Sequence, residues 1–421
     1  MRVLIVHNRY QQRGGEDSVV AAEISLLAAN GVDVRRFDAD NSSIQGFSAK
    51  LRVSASQFGF PSAVRDQFAT ALAAFRPDVV HVHNWFPTVS ASIFRTCQRA
   101  RIPVVHTLHN YRLLCVNALM FRDGHACEDC IGTTFRSPGI IHKCYRESRV
   151  GTVVATAGML AHWAAGTWQT SVDRFIALTE FAKAKLIEGG LPAEKITVKP
   201  NFVAPDPGPG SGDGGYLLHV GRMSEEKGLR TLIECWRNSP DLPLLKIVGS
   251  GPLQSEVTQS AASMRNVEFL GTKTGEEVTA LMSRAAATIC PSLWYEGMPR
   301  VVIESMAVGT PIVASDIGGY PEMIADSGAG VLFPAGDVPA LQSLIRSLVA
   351  GNAFAAMRPN ARHRFESEYT GERNFSLILN IYRSVLAAGS LVPSTPDPVG
   401  TQPIQLRAVP RAAAGKLPWK A

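Results

Sequence analysis

The sequence has 421 residues, a length that predicts two to three domains and excludes a single small binding module. Its 46% hydrophobic and 19% charged residues can build large cores, which excludes a disordered chain. The net charge is +6, and the last 32 residues carry half of it, with four cations against one carboxylate, so the remainder is nearly neutral and does not favour nucleic-acid binding.

Short apolar runs alternate with helical segments along most of the chain, a pattern typical of βαβ units that build parallel sheets. In the first half, six runs predict strands at residues 3–6, 32–37, 78–83, 103–106, 174–178 and 196–199. Residues 15–30 have helical periodicity and end before Gly31, a common stop for a helix. We therefore expect a first doubly wound domain over residues 1–202.

The first apolar run is too short for the core of a signal peptide, and no run reaches the roughly 18–20 residues of a membrane span. The chain has seven cysteines, an odd number that favours a reducing compartment over a set of disulfides. These features predict a cytoplasmic protein.

Residues 203–215 hold three prolines and five glycines, and we interpret them as a linker between domains. The alternation then restarts, with strands predicted at 216–220, 244–248, 267–270, 287–290, 311–314 and 331–333. Helices are predicted between and after them, at 227–237, 275–285, 300–308, 338–350 and 353–368. The second doubly wound domain is thus expected over residues 216–370.

Two segments follow the second domain. Residues 371–389 predict a C-terminal helix that is free to cross back to the first domain. Residues 390–421 contain six prolines and little periodicity, and they predict a disordered, basic, proline-rich tail.

Several glycine-rich turns follow predicted strands. Gly15 begins the first predicted helix, where backbone N–H groups can approach an anion, although a tight turn also needs glycine. Gly249 and Gly251 form a similar turn, which either lies beside a nucleoside or simply reverses the chain. In open α/β sheets, ligands bind at such carboxyl ends of strands.

Charged residues mark two more of these turns. Gly221 is followed by Arg222 and, five residues later, by Lys227, and two such cations can clamp a pyrophosphate or simply be solvated. Glu296 and Glu304 are separated by seven residues around the start of a predicted helix. Carboxylates there can accept hydrogen bonds from sugar or ribose hydroxyls.

The free N–H groups of Gly297 and Met298, next to Glu296, add donors to the same loop.

Taken together, these residues resemble those of the retaining, nucleotide-sugar-dependent glycosyltransferases of family 4, over about residues 1–388. The family has the fold called GT-B, so the resemblance implies an α/β protein of two Rossmann-like doubly wound domains facing each other across a cleft. By the same resemblance, the first domain would bind the acceptor and the second the nucleotide sugar.

The resemblance also implies roles for single residues. Arg222 and Lys227 would neutralise the donor diphosphate, Glu304 would bind the ribose and Glu296 the transferred sugar. Gly15 would lie near the phosphates or the acceptor, and the turns with Gly221, Gly249 and Gly251 and the loop with Gly297 and Met298 would complete the donor site. Catalysis would need no cofactor.

One histidine matches a functional histidine of that family. It is His109, which follows a predicted strand. His81, His83 and His106 also lie near strand ends, and a metal site built from the four histidines is an alternative interpretation.

Four of the seven cysteines crowd into a predicted insertion at residues 113–146. They are Cys115, Cys127, Cys130 and Cys144, and they contain one C-x2-C pair. Four thiolates are the ligand set of a closed structural zinc site. The alternatives are free thiols or, in an exported protein, disulfides.

We therefore expect a retaining glycosyltransferase that moves a hexose from a nucleoside-diphosphate sugar to a glycan or a polyprenol-linked acceptor, in cell-surface polysaccharide biosynthesis. It would lie in the cytoplasm, peripherally at the inner face of the membrane, without nucleic acid. The alternatives are a sugar-nucleotide epimerase of the same fold and a zinc-knuckle nucleic-acid-binding protein.

Overall fold

The structure is a computed structural model that describes residues 1–9, 14–40, 58, 63–133 and 135–390. The strands of the first part are β1 (Arg2–Arg9), β2 (Asp33–Asp40), β3 (Val79–Asn84), β4 (Val104–Thr107), the hairpin strands β5 (Phe121–Arg122) and β6 (His125–Ala126), β7 (Arg174–Ala177) and β8 (Ile196–Val198). Those of the second part are β9 (Tyr216–Val220), β10 (Leu244–Val248), β11 (Val267–Phe269), β12 (Ala287–Cys290), β13 (Ile312–Ser315) and β14 (Gly330–Phe333).

These strands form two six-stranded parallel sheets, in the orders β2-β1-β3-β4-β7-β8 and β11-β10-β9-β12-β13-β14. In each sheet the chain starts in the middle, winds to one edge and then crosses to the other, which creates a switch point beside β1 and beside β9. Every residue of β3 and of β12 is buried, as central parallel strands covered on both faces must be. The predicted α/β fold of two doubly wound domains is confirmed.

Helices cover both sheets. In the first part they are α1 (Gly15–Ala29), α2 (Ala63–Phe75), α3 (Ser92–Arg99), α4 (Ser137–Ile141), α5 (Arg149–Ala164), α6 (Thr167–Thr170) and α7 (Glu180–Glu188). In the second they are α8 (Leu229–Arg237), α9 (Gln254–Ala262), α10 (Gly275–Arg284), α11 (Arg300–Ala307), α12 (Tyr320–Ile324), α13 (Val338–Ala350), α14 (Ala353–Glu368) and α15 (Gly371–Ser390).

One predicted helix begins later than its sequence indicates. Residues 225–227 form a short 3-10 turn, and α8 starts only at Leu229. Gly228 separates the two with a φ of +69°, and a Cβ there would lie 1.7 Å from the carbonyl oxygen of Pro291. This close approach needs glycine, and it fixes Lys227 in a tight turn rather than on a helix.

The linker is bound to the second domain along its length. The N–H groups of Gly210, Gly212 and Gly214 donate to carbonyl oxygens of that domain at 2.8–2.9 Å. In contrast, the last helix, α15, packs on the first sheet, where Ile378 and Tyr382 share a core with strand β1 and helix α1. The chain thus returns to the first domain at its end.

The carboxyl ends of the two sheets meet. Thr179 Oγ1, at the start of α7, donates to the carbonyl oxygen of Gly297 at 3.0 Å. The Glu322 carboxylate of α12 accepts the N–H groups of Glu180 and Phe181 at 2.9 and 3.1 Å, and so satisfies free donors at the start of α7. These contacts place the two glycine- and charge-rich edges opposite each other.

Two predictions concern parts of the chain beyond the two domains. The tail predicted over residues 390–421 lies, from residue 391 onward, outside the described residues. Among the helices that are described, none has both the length and the apolar character needed to cross a bilayer.

Candidate active site

Lys227 and Glu296 form the central ion pair of the candidate site. Lys227 lies in the turn behind β9, and Glu296 lies 69 residues later in the loop before α11. Lys227 Nζ donates to Glu296 Oε1 at 2.5 Å. The glutamate side chain is 6% exposed and that of the lysine 22%. The structure therefore brings these two predicted residues together, with the cation partly open to solvent.

The hydroxyl groups of Ser292 and Tyr320 form a chain of hydrogen bonds that ends on the Glu296 carboxylate. Ser292 Oγ donates to Glu296 Oε1 at 3.0 Å and also lies 3.0 Å from the hydroxyl of Tyr320. Two glycines after β13 press against the same loop, since a Cβ on Gly318 would lie 2.8 Å from the Glu296 nitrogen, and one on Gly319 would lie 2.8 Å from the Gly297 oxygen. These contacts leave the carboxylate little room to move.

Arg222 lies in the same turn as Lys227 but pairs with a different carboxylate. Its guanidinium contacts Glu226, and its Nε donates to Ser224 Oγ at 3.1 Å. Ser224 Oγ donates in turn to Glu226 Oε1 at 2.6 Å. The Arg222 side chain is 54% exposed, so it presents a cation to solvent at the same edge of the sheet.

The glycines of the neighbouring turns have a structural reason to be glycine. Gly249 and Gly251 have φ angles of +141° and +151°, which other residues rarely adopt. A Cβ on Gly249 would lie 1.9 Å from the Gly221 oxygen, and one on Gly251 would lie 2.6 Å from the Met223 oxygen. The turn after β10 therefore packs directly on the turn after β9, and the predicted contact with a nucleoside stays a prediction.

The second predicted glutamate, Glu304, forms an ion pair with an arginine. Glu304 Oε1 accepts from Arg300 Nη2 at 2.7 Å on α11, and both side chains are partly exposed. Across the cleft, a Cβ on Gly15 would lie 3.8 Å from Arg300 Cδ. Gly15 and Glu304 thus approach the same arginine from opposite domains.

Gly297 and Met298 face the first domain. The Gly297 oxygen accepts from Thr179, and Met298 is buried, with its sulfur accepting the N–H of Asn201 at 3.0 Å. The carbonyl and side chain of this loop hold the two domains together, and the use of its N–H groups for the donor stays a prediction.

His109 is held by hydrogen bonds that lead to a buried carboxylate. His109 Nε2 lies 2.9 Å from His83 Nδ1, and His83 Nε2 lies 3.1 Å from Glu23 Oε1. An ionised carboxylate only accepts, so His83 donates from Nε2 and accepts at Nδ1, and His109 donates from Nε2. This arrangement leaves Nδ1 as the acceptor nitrogen of His109.

Glu23 also binds a lysine and a second histidine. Lys199 Nζ donates to Glu23 Oε2 at 3.0 Å and to Asn374 Oδ1 of α15 at 3.1 Å. His81 Nδ1 lies 3.0 Å from Glu23 Oε1. Burial opposes ionisation of Glu23, but Lys199 and His81 outweigh it and hold the pKa of this carboxyl well below its ordinary value.

This cluster bears on the possibility of a histidine metal site. In the described chain, Glu23, His81 and His83 form a group whose ligand atoms lie within 4.8 Å of one another. A metal ion there would lie beside the Lys199 ammonium, and two cations in a dry core repel strongly. His106 lies apart, 5.2 Å from the ring of Phe94. A hydrogen-bonded core network is the better account of these residues.

His83 and His109 are uncharged at neutral pH. Burial lowers the pKa of His109 well below its ordinary value, and His83 lowers it further. Burial and the neighbouring His81 lower the pKa of His83 to about 3. His109 can therefore hydrogen-bond a hydroxyl, but it offers no positive charge to a phosphate.

Two family models cover most of the chain. Residues 2–201 match the description "Glycosyl transferase 4-like domain", and residues 208–367 match "Glycosyl transferases group 1". Both sheets and the Lys227–Glu296 pair fall within these ranges. The chain belongs to glycosyltransferase family 4. This membership identifies it as a sugar transferase, in place of the epimerase and nucleic-acid-binding alternatives.

The glycosyltransferase is similar in sequence to several named enzymes. It is 28% identical over 320 residues to a glycogen synthase of Mycobacterium tuberculosis, covering 73% of this chain and 69% of that protein. It is 24% identical over 381 residues to a phosphatidyl-myo-inositol mannosyltransferase of Mycolicibacterium smegmatis, covering 87% and 86%. It is 32% identical over 220 residues to the amylovoran biosynthesis glycosyltransferase AmsK of Erwinia amylovora, covering 47% and 53%.

Solved structures share the fold of this glycosyltransferase. Sucrose-phosphate synthase from Thermosynechococcus elongatus aligns with a TM-score of 0.67 at 20% identity, covering 92% of this chain and 99% of that one. Anabaena HepE in complex with UDP-glucose aligns with a TM-score of 0.63 at 16% identity, covering 91% and 100%. Identities this low establish the GT-B fold alone.

Sequence reasoning missed several residues of the enzyme's site. Ser292 and Arg300 contact the predicted glutamates and Tyr320 contacts Ser292, but nothing local in the sequence distinguishes them. Glu23 did leave a signal, because it lies on the same helical stripe as the buried Val20 and Leu27. A charge on an apolar stripe indicates a buried partner.

Proposed function

We propose that this glycosyltransferase moves a hexosyl group from a nucleoside-diphosphate sugar to a glycan or lipid-linked acceptor, with retention of configuration, in the assembly of a cell-surface polysaccharide. The names of its relatives support this class of reaction, since they include a glycogen synthase, a lipid mannosyltransferase and an enzyme of amylovoran synthesis. Its structural neighbour HepE was solved with UDP-glucose.

The observation that carries this proposal is the placement of Lys227 and Arg222. Both follow β9, at the switch point of the second sheet, and both form ion pairs with nearby carboxylates. A diphosphate that approaches this edge can replace Glu226 on Arg222 and compete for Lys227. Fixed cations at this position act where negative charge grows in the transition state.

In the proposed step, the bond between the anomeric carbon and the β-phosphate oxygen breaks, and its electron pair stays on the phosphate. The acceptor oxygen attacks from the face that the leaving group vacates, and its proton passes to a phosphate oxygen. Arg222 and Lys227 stabilise the leaving diphosphate, so the reaction needs neither a protein nucleophile nor a catalytic metal.

The glutamates and the histidine orient the sugar in this proposal. Glu296 is fixed by Lys227 and Ser292, and it still has lone pairs for a sugar hydroxyl. His109, neutral and tied to His83, accepts from a second hydroxyl through Nδ1. Glu304 accepts from the ribose once Arg300 turns toward the phosphates, where Gly15 leaves space.

Binding and turnover test the donor. Purified protein is screened by thermal shift against nucleoside diphosphates that carry different hexoses, and a true donor at 100 times its Kd adds about 2.7 kcal/mol of stability. Nucleotide release is then measured with and without an acceptor glycan or polyprenyl-phosphate sugar. Release that needs the acceptor, with an α-linked product from an α-linked donor, supports the proposal. An inverted product, or failure of every nucleotide sugar to bind, would contradict it.

We also propose a peripheral membrane location, which a separate observation supports. Phe135, Ile141 and Val150 are 72%, 66% and 76% exposed and lie close together in the chain. The exposed cations Arg146 and Arg149 lie among them. Exposed apolar side chains combined with basic ones fit the surface of an anionic bilayer, which would place the enzyme at the inner face of the cytoplasmic membrane.

Vesicle flotation tests this location. The full chain should float with vesicles that contain phosphatidylglycerol and not with purely phosphatidylcholine vesicles. The double variant Phe135→Ser/Ile141→Ser should lose this binding, while Val349→Ser, an equally simple change at an exposed residue of the second domain, should keep it. Equal binding of the double variant would place the contact elsewhere on the chain.

A further inference from the structure

The cysteines of the insertion lie around one small cavity. The cysteines that line it are Cys115, Cys127, Cys130 and Cys144. They come from three separate turns, yet the cavity they share measures only about 20 Å³, room for a single ion or water. All four cysteines are free of disulfides.

The backbone packs closely around these cysteines. The hairpin β5–β6 leads directly into Cys127. A Cβ on Gly139 would lie 3.1 Å from a methyl carbon of Val116 and 3.5 Å from the Cys130 sulfur, so the turn at Gly139 packs directly on the cavity.

A buried arginine indicates that negative charge belongs in this place. Arg136 is 5% exposed, and in the part of the chain that the structure describes no carboxylate forms an ion pair with it. Its Nη1 donates to the Cys130 carbonyl oxygen at 2.5 Å, while its buried Nε has no partner. A buried guanidinium without a counter-charge destabilises the folded state.

We propose that the four cysteines bind one zinc ion, and that Arg136 balances the charge of the tetrathiolate. Four thiolates and a divalent ion carry a net charge of −2, which supplies the missing partner of the arginine. Four thiolates suit zinc or an iron–sulfur cluster, and a cavity for one ion favours zinc. No three of these four described sulfurs lie within 4.8 Å of one another, so binding draws the turns inward.

The ion would hold the insertion against the active-site loop. Glu128, between the two cysteines of the C-x2-C pair, accepts from Lys185 of α7 at 2.7 Å. The side chain of Glu128 also interacts with that of Tyr295, the residue before Glu296. The aromatic ring of Tyr295 packs against Phe181 with centroids 5.0 Å apart. A metal at the base of the Glu128 turn therefore fixes a contact one residue from the catalytic ion pair.

Metal analysis of the full chain tests this site without reference to sugar transfer. The protein is produced with zinc in the medium, purified under reducing conditions, and analysed by plasma mass spectrometry. We expect about one zinc per chain. The double variant Cys127→Ser/Cys130→Ser should contain almost none, whereas Cys235→Ala, which removes a buried cysteine of the second domain, should keep its zinc.

A second measurement keeps the test valid if the double variant does not fold. A chelator added to the wild-type protein should lower its Tm, and zinc added back should restore it. Cobalt in place of zinc should give the absorption of a tetrahedral thiolate site. Protein with neither metal and all seven thiols free, protein with two disulfides, or protein with stoichiometric iron would each overturn the proposal.

Discussion

On the first-domain side of the cleft, Glu23 and Lys199 are 1% and 2% exposed, whereas on the second-domain side Lys227 and Arg222 are 22% and 54% exposed. The buried pair shares its remaining atoms with histidines and an asparagine, so no partner is left to exchange. The exposed cations are paired with carboxylates that a phosphate can displace. Charge that is buried and matched supports the fold, and charge that is open and exchangeable is what we propose binds the ligand.

The difference also separates two kinds of damage. Loss of one member of the buried pair leaves an uncompensated charge in the core, which destabilises the folded state. Loss of an exposed cation leaves the core intact and removes attraction for the substrate. Changes on the buried side should therefore lower the free energy of unfolding, and changes on the exposed side should lower kcat/KM.

The largest effect is expected for Glu23→Gln. This change leaves the Lys199 ammonium buried without a counter-charge and should lower the free energy of unfolding by about 3–5 kcal/mol, measured by urea denaturation. Glu256→Gln, which breaks an exposed ion pair with Arg230, should cost less than about 1 kcal/mol. If Glu23→Gln also costs less than this control, the buried network does not carry the stability that we assign to it.

Lys227→Ala should have the largest effect on catalysis. It removes the proposed charge-assisted contact to the diphosphate and the partner of Glu296, so kcat/KM should fall about 100-fold. Lys273→Ala is a matched control, because Lys273 is partly exposed and pairs with Glu277 in the same domain. A rate for Lys227→Ala close to that of the control would remove this lysine from the site.

Arg222→Ala should act in the same direction but more weakly. Its side chain is half exposed, and solvent screens its charge, so a fall in kcat/KM of about tenfold is expected. Arg230→Ala removes an equally exposed arginine nearby and should leave kcat/KM unchanged. A stronger effect of Arg222→Ala than of Lys227→Ala would reverse the order of the two cations.

The sequence predicted the exposed side of this comparison better than the buried side. Arg222, Lys227 and Glu296 follow strands, and the rule that ligands bind at the carboxyl ends of parallel strands locates such residues without coordinates. The contact between Lys227 and Glu296 was not predictable, because it depends on the packing of Gly228 against the turn that follows β12.

The buried side depends on contacts between distant segments. Glu23 and Lys199 are 176 residues apart, and Lys199 also reaches Asn374, a residue of the helix that returns to the first domain. Local periodicity predicts that helix but does not say which face meets which residue. Arg136 is a similar case, because a basic residue in a loop normally lies in solvent and only the fold shows it buried.

The smallest effect, for one residue and one unit of pH, is expected from a change of pH. Burial lowers the pKa of His83 and that of His106 to about 3, and the nearby His81 contributes to both shifts. Burial also lowers the pKa of His219 to about 4. An unfolded histidine has a pKa near 6.5. Unfolding below that pH therefore takes up protons, and stability is full above about pH 6.5 and falls as the pH decreases toward the folded values, by about 1.4 kcal/mol per pH unit for each histidine.

Replacement of one of these histidines isolates its share of this pH dependence. His106 lies among aromatic rings, with a buried Nδ1 that has no partner among the described residues. His106→Phe should reduce the slope of unfolding free energy against pH between about pH 6 and pH 4 by about 1.4 kcal/mol per unit. Urea denaturation at several pH values measures the slope. An unchanged slope would mean that His106 takes up no proton on unfolding. Burial would then not be what keeps this histidine neutral in the folded protein.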